Sequence, residues 1–261
     1  MIELQLPAAL LVNYALLLAR MAAFVVFVPM PSVRASLSTT KIVLALALTV
    51  LTAPLAMSDI GREVVSSSVV PWILLRATIA EAALGIALGV ALRLTLESFG
   101  LAAQALGFQA GYSYVNMVDP TSQVDASILN VIFALLANLL FLATDLHLFA
   151  LEALVDGLRI HPLGGFSTTP ADAAAIIMLG GYMMEAAVRL ALPVMAVLLL
   201  VDLTLGLLNQ VHSRMQLITL SFTLKLVAGT AVIVLMLPTA PKVFDFMAEH
   251  GAEVVIGLLR R

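Results

Sequence analysis

Not one cysteine occurs among the 261 residues. A disulfide framework, a thiolate metal site and a cysteine nucleophile are therefore excluded. Charge is scarce too: Asp, Glu, Lys and Arg together make up 11% of the chain, against roughly 25% in average soluble domains. Between Arg93 and Arg159 there is no Lys or Arg at all. The net charge of −3 offers no basic patch for nucleic acid. Walker A, H-E-x-x-H and G-x-S-x-G patterns are all missing, so nucleotide hydrolysis, zinc peptidase chemistry and a hydrolase elbow have no carrier here. His147, His161, His212 and His250 fall in four different segments, without the spacing of a ligand set. No cofactor or metal is expected.

What fills the chain instead is apolar: 62% of it is hydrophobic. A soluble globule of this size could not bury so much apolar surface. In lipid, backbone groups must be satisfied internally, which a run of helices does. The expected fold class is therefore an all-α polytopic membrane protein with about six hydrophobic helices in hairpins. The candidate spans are Ala8–Pro29, Ile42–Met57, Val69–Leu96, Ser127–Leu154, Ala173–Leu208 and Leu217–Leu237. The first has an acid and no basic residue ahead of it, unlike a secretory signal, and is expected to be a retained helix. Thr169 with Pro170 reads as an N-cap followed by proline at the first helical position, with Asp172 in the first turn. Pro193 marks a point where the fifth run could break. Asn209 to Gln216 is a polar turn, and the tail from Lys242 to Arg261 is amphipathic, suited to an interface or a partner.

One apolar stretch does not look like lipid-facing helix. Gly100, Gln104, Gly107 and Gly111 recur at i, i+4, i+7 and i+11 and share one helical face. The sequence then turns polar and aromatic through Tyr112, Ser113, Tyr114 and Asn116, and stops at Asp119-Pro120. Thr78, Ala82, Gly85 and Gly89 repeat the same spacing earlier, and small residues let helices approach closely in lipid. The shared spacing predicts two closely packed helices. A polar, glycine-rich insert between apolar helices is a natural working part.

Arg20, Glu81, Glu185, Arg189, Asp202 and Lys225 lie within or at the edges of the apolar runs. Even low estimates put such a charge at roughly 2.5–3.5 kcal/mol in the bilayer centre, so each needs a partner or a role. Glu185 and Arg189 are spaced to pair on one helix. Arg20, Asp202 and Lys225 need another helix, another chain or water. Structural pairing weighs more than transport chemistry, although a small secondary transporter with a midplane site at Glu185, Arg189 or Asp202 is the rival reading.

In sequence order, the hydrophobic segments and several motifs resemble the FliR family of flagellar type III export-gate proteins and, more distantly, its virulence-type counterparts. Gly107-Phe108-Gln109-Ala110-Gly111 matches the family's G-x-Q-x-G run and Val118-Asp119-Pro120 its V-D-P. Leu163-Gly164-Gly165 after His161-Pro162 matches a P-hydrophobic-G turn. A third match runs from Leu205-Gly206-Leu207-Leu208 to Phe222, Leu224-Lys225-Leu226 and Gly229. The chain departs where the family carries Ala-Pro-Gln and Gly-Phe-Pro, with His212-Ser213-Arg214 and Ser221-Phe222-Thr223 in those places, which marks a divergent member.

The resemblance implies a non-enzymatic subunit of the bacterial inner membrane at the flagellar basal body. It implies a FliP-like part over about residues 1–170, a FliQ-like helical hairpin over about 171–240, and the tail over 241–261. The implied partners are FliP-like and FliQ-like subunits in a hetero-oligomeric gate, FlhB-like and FlhA-like proteins, membrane lipid, and unfolded export substrates in transit. It further implies a pore plug at Gly107, Phe108, Gln109, Gly111, Tyr112, Ser113, Tyr114, Asn116, Asp119 and Pro120. The virulence-type branch stays open beside the flagellar one.

Overall fold

In the computed structural model, which describes residues 8–28, 38–58, 71–110, 128–166, 169–211 and 217–260, every regular element is helical. The elements are α1 (Ala8–Phe27), α2 (Ser38–Ser58), α3 (Pro71–Gln109), α4 (Ile128–Ala143), α5 (Leu146–Ile160), α6 (Pro170–Val211), α7 (Leu217–Met236), a 3-10 turn (Leu237–Thr239) and α8 (Ala240–Leu259). Among the described residues, five helical stretches are long and apolar enough to cross a membrane, or six when α4 and α5 count as one broken span. The chain is an all-α polytopic membrane protein, as its composition predicts.

Four features differ from the sequence expectation. Residues 71–96 of the third candidate span and Gly100–Gln109 of the glycine-rich stretch lie on one helix, α3, of 39 residues. Nothing between them stops a helix: glycine costs only about 1 kcal/mol relative to Ala, and Ser98 satisfies its hydroxyl on Thr95 O at 2.7 Å. Thr78, Ala82, Gly85 and Gly89, and Gly100, Gln104 and Gly107, are therefore stations on a single helix, not the faces of two packed ones. Conversely, Ser127–Leu154 is not one run. It breaks at Asp145, whose φ of 54° is left-handed, a conformation that Asp tolerates better than most residues. Pro193 lies inside a continuous α6 of 42 residues, because a proline removes one backbone bond without obliging a break. The tail is α8, and its apolar face is covered by this chain itself: Phe244 and Met247 are fully buried, as are Val255 and Leu258.

The chain divides into two compact units. The first comprises residues 1–94, 144–180 and 250–261. Its core joins Leu16, Leu17, Met21 and Phe24 of α1, Leu84 and Leu88 of α3, Leu154 of α5 and Leu258 of α8. Close approach of α1 and α3 is what Gly85 and Gly89 provide. A Cβ at Gly85 would collide with the main-chain oxygen of Arg20, and one at Gly89 would lie 2.9 Å from Phe24 O and 2.8 Å from Phe27 Cβ. The second unit comprises residues 95–143 and 181–249. Phe99, Ala102, Ala103 and Leu106 of α3, Phe133 and Phe141 of α4, Leu190 and Leu198 of α6, and Phe244 and Met247 of α8 form its core. The Phe99 and Phe244 rings meet edge to face at 5.9 Å.

Candidate functional site: the end of α3 and the charges in the apolar helices

The last turn of α3 carries the first residues of the glycine-rich motif. Gly107 and Ala110 are buried there, while Phe108 is 72% exposed. Ala110 N–H still donates to Leu106 O at 2.8 Å, so the turn is complete. Gly111, Tyr112, Ser113, Tyr114, Asn116, Asp119 and Pro120 lie outside the described residues. Of the small residues upstream on the same helix, Gly100 is half-buried and Gln104 exposed. Thr78 is exposed and satisfies its hydroxyl on Leu74 O at 2.9 Å, and Ala82 is half-buried.

A polar cluster grips this turn within the second unit. Lys225 Nζ of α7 lies 2.6 Å from Asp202 Oδ1 of α6. The other carboxylate oxygen of Asp202 accepts a hydrogen bond from Gln109 Nε2 at 3.1 Å. Lys225 Nζ also approaches the main-chain oxygen of Gln109 at 3.5 Å, a length nearer to a charge–dipole contact than to a strong hydrogen bond. The last carbonyls of any helix lack intrahelical partners and carry partial negative charge. The last turn of α3 has no basic residue of its own, so Lys225 supplies the complementary charge from another helix. Beside the cluster, an open apolar groove of about 470 Å³ runs between α3 and α6, lined by Leu101, Ala105, Met184, Val188 and Met195 among others.

Glu185 and Arg189, expected as charges buried in an apolar run, are about half exposed in this chain. They pair with each other at 2.5 Å, and the Arg189 guanidinium sits 4.4 Å from the Phe246 ring centre. Asp202 follows Arg189 by 13 positions, roughly 20 Å along α6. Glu185 and Arg189 therefore do not converge with Asp202 on one binding point.

Arg20 and Glu81 form a second polar centre, in the first unit, and both are fully buried. Arg20 Nε meets Glu81 Oε2 at 2.5 Å. Its Nη1 donates to Gly157 O at 3.0 Å and its Nη2 to His161 O at 3.2 Å, so a side chain of α1 caps the C-terminus of α5. Glu81 Oε1 accepts from the Gly164 N–H at 2.8 Å. That donor is presented by a turn closed by Gly165 N–H to Pro162 O at 2.9 Å. Gly164 sits in it at φ 84°, a position that suits glycine. Ring nitrogen Nε2 of His161 in turn lies 3.1 Å from Leu259 O at the end of α8. In the sequence, Arg20, Glu81 and the Pro162–Gly165 turn stand far apart. Their convergence carries no local sequence signal, because the partners lie 61 and 83 positions apart. Among the described residues, no group of three His, Cys, Asp or Glu side chains is placed to hold a metal.

The profile of the family "Bacterial export proteins, family 1" matches residues 11–251. FliR of Escherichia coli K12, a flagellar biosynthetic protein, is 29% identical over 246 residues, covering 91% of this chain and 92% of that protein. FliR of Caulobacter vibrioides is 25% identical over 223 residues, 85% and 87% of the two chains. SpaR of Shigella sonnei, a surface presentation of antigens protein, is 30% identical over 172 residues, 65% and 66%. With its matched length, its all-helical membrane architecture and its ordered motifs, the chain belongs to the FliR family, family 1 of the bacterial export proteins.

Proposed function

We propose that this chain is a non-enzymatic subunit of the flagellar type III export gate in the bacterial inner membrane. In this reading it joins FliP-like and FliQ-like subunits around a channel for unfolded substrates and works beside FlhB-like and FlhA-like proteins. Residues Gly107–Pro120 act as its plug. Residues 1–170 form the FliP-like part and residues 171–240, with α6 and α7, the FliQ-like hairpin. The observation that carries this reading is the end of α3. There the Gly107–Ala110 part of the G-x-Q-x-G motif ends a long apolar helix, with Phe108 exposed and Gln109 held by paired charges. In a membrane protein, polar or irregular backbone is tolerated where it is buried in protein or lines a cavity. FliR relatives match over 60–92% of the chain and SpaR over 65%; the two FliR proteins that cover 91% and 92% support the flagellar branch.

The test is replacement of Gly107 and Gly111 by leucine, and deletion of Phe108–Asn116. Altered secretion and motility, with raised small-ion leakage in the deletion, is expected. Motility, secretion and leakage all at wild-type level would contradict the gating role.

A further inference from the structure

We propose that Asp202 and Lys225 are positioning residues that fix the last turn of α3, and thereby set how tightly the resting gate holds back ions. The proposal rests on the export-gate reading above. Its ground is that the three side chains come from three helices and that each contact has a distinct job. Asp202 uses both carboxylate oxygens, one on Lys225 at 2.6 Å and one on the Gln109 side-chain amide at 3.1 Å. Lys225 then faces the Gln109 main-chain oxygen at 3.5 Å. Asp202 alone would be repelled by the carbonyl end of α3; it is accepted there because Lys225 neutralises it and the Gln109 amide donates to it. Lys225 alone would leave an ammonium among Leu106, Leu198 and Leu226, which line the small pocket around it. A pair that served only to zip α6 to α7 would have no need of Gln109. Here both ionic partners reach it.

The contacts have polarity, and that makes the proposal testable. Exchanging the charges, Asp202→Lys with Lys225→Asp, keeps an ion pair between α6 and α7. It also turns a carboxylate toward the main-chain oxygen of Gln109, which is repulsive. The experiment uses cells that carry the complete gate, with export substrates withheld. It measures small-ion leakage alongside co-purification of the partner subunits, for Gln109→Leu, Asp202→Asn, Lys225→Gln, Lys225→Arg, the charge exchange, and the Phe108–Asn116 deletion as reference.

The expected result is a severalfold rise in leakage for Gln109→Leu in a fully assembled gate. Lys225→Arg should stay near the wild-type level, and the exchange should recover assembly while the leak persists. Wild-type leakage in Gln109→Leu, or an exchange that restores the seal together with assembly, overturns the positioning role. Should the deletion leak while Gln109→Leu does not, this inference fails and the gate reading stands. If the deletion itself does not leak, the gate reading fails with it.

Discussion

Arg20 illustrates what a single charged residue does in an apolar helix. It is fully buried, paired with Glu81, and hydrogen-bonded to two carbonyls at the end of another helix. Breaking one member of such a pair strands the other, at a cost of about 3–5 kcal/mol. Arg20→Met is therefore expected to lower the melting temperature of the detergent-purified protein sharply. The double change Arg20→Met with Glu81→Leu should recover part of that loss, since no lone charge remains. Glycines separate in the same way. Gly85→Ala forces a methyl into the Arg20 main-chain oxygen, where relief requires α1 and α3 to move apart; overpacking of this kind costs about 1–3 kcal/mol. Gly257, also helical, has nothing within 4 Å of its added Cβ, and Gly257→Ala should be neutral or stabilising by up to about 1 kcal/mol. Thermal melts of the two variants side by side check the contrast.

At the scale of elements, three helix ends share one device. The last turns of α1 and α3 contain no basic residue, yet cations reach their terminal carbonyls from elsewhere. Lys41 of α2 donates to Val26 O at 3.2 Å, Lys225 faces Gln109 O, and Arg20 serves α5. In an apolar protein with few charges, the scarce cations settle where backbone carbonyls need them. A helix start shows the reciprocal case: Asp172 Oδ2 accepts from both the Thr169 N–H at 2.8 Å and its hydroxyl at 2.7 Å. Asp172→Ala should cost about 0.5–2 kcal/mol, read as faster hydrogen exchange in the first turn of α6.

The start of α6 was legible in Thr169, Pro170 and Asp172, because caps are local chemistry. Membrane class and helix content were legible in composition, and the Glu185–Arg189 pair in its spacing. The unity of α3 was not, since small residues at regular spacing look alike whether they lie on one helix or two. Nor was the left-handed turn at Asp145, which a single tolerant residue decides inside an apolar run. The Arg20–Glu81 and Asp202–Lys225 partnerships were equally hidden, because sequence reading marks a charge in need of a partner without saying which distant residue supplies it.

At the scale of the molecule, helix length bears on function. The 39 residues of α3 and 42 of α6, at about 1.5 Å each, run roughly 58 and 63 Å, near twice the ~30 Å hydrocarbon core. Two such helices exceed what one bilayer crossing demands. Many large side chains, Leu51, Phe108, Ile177, Leu207 and Leu235 among them, stay exposed in the isolated chain, and exposed apolar surface on this scale marks contact with lipid or partner subunits. The central claim is that this protein works as one subunit of a hetero-oligomeric export gate. Affinity purification of the tagged full-length chain from gently solubilised membranes, with identification of every co-purifying chain, tests that claim most directly. A stable complex containing FliP-like and FliQ-like subunits is expected; a chain that purifies alone and carries out solute uptake by itself in proteoliposomes would contradict the export-gate role.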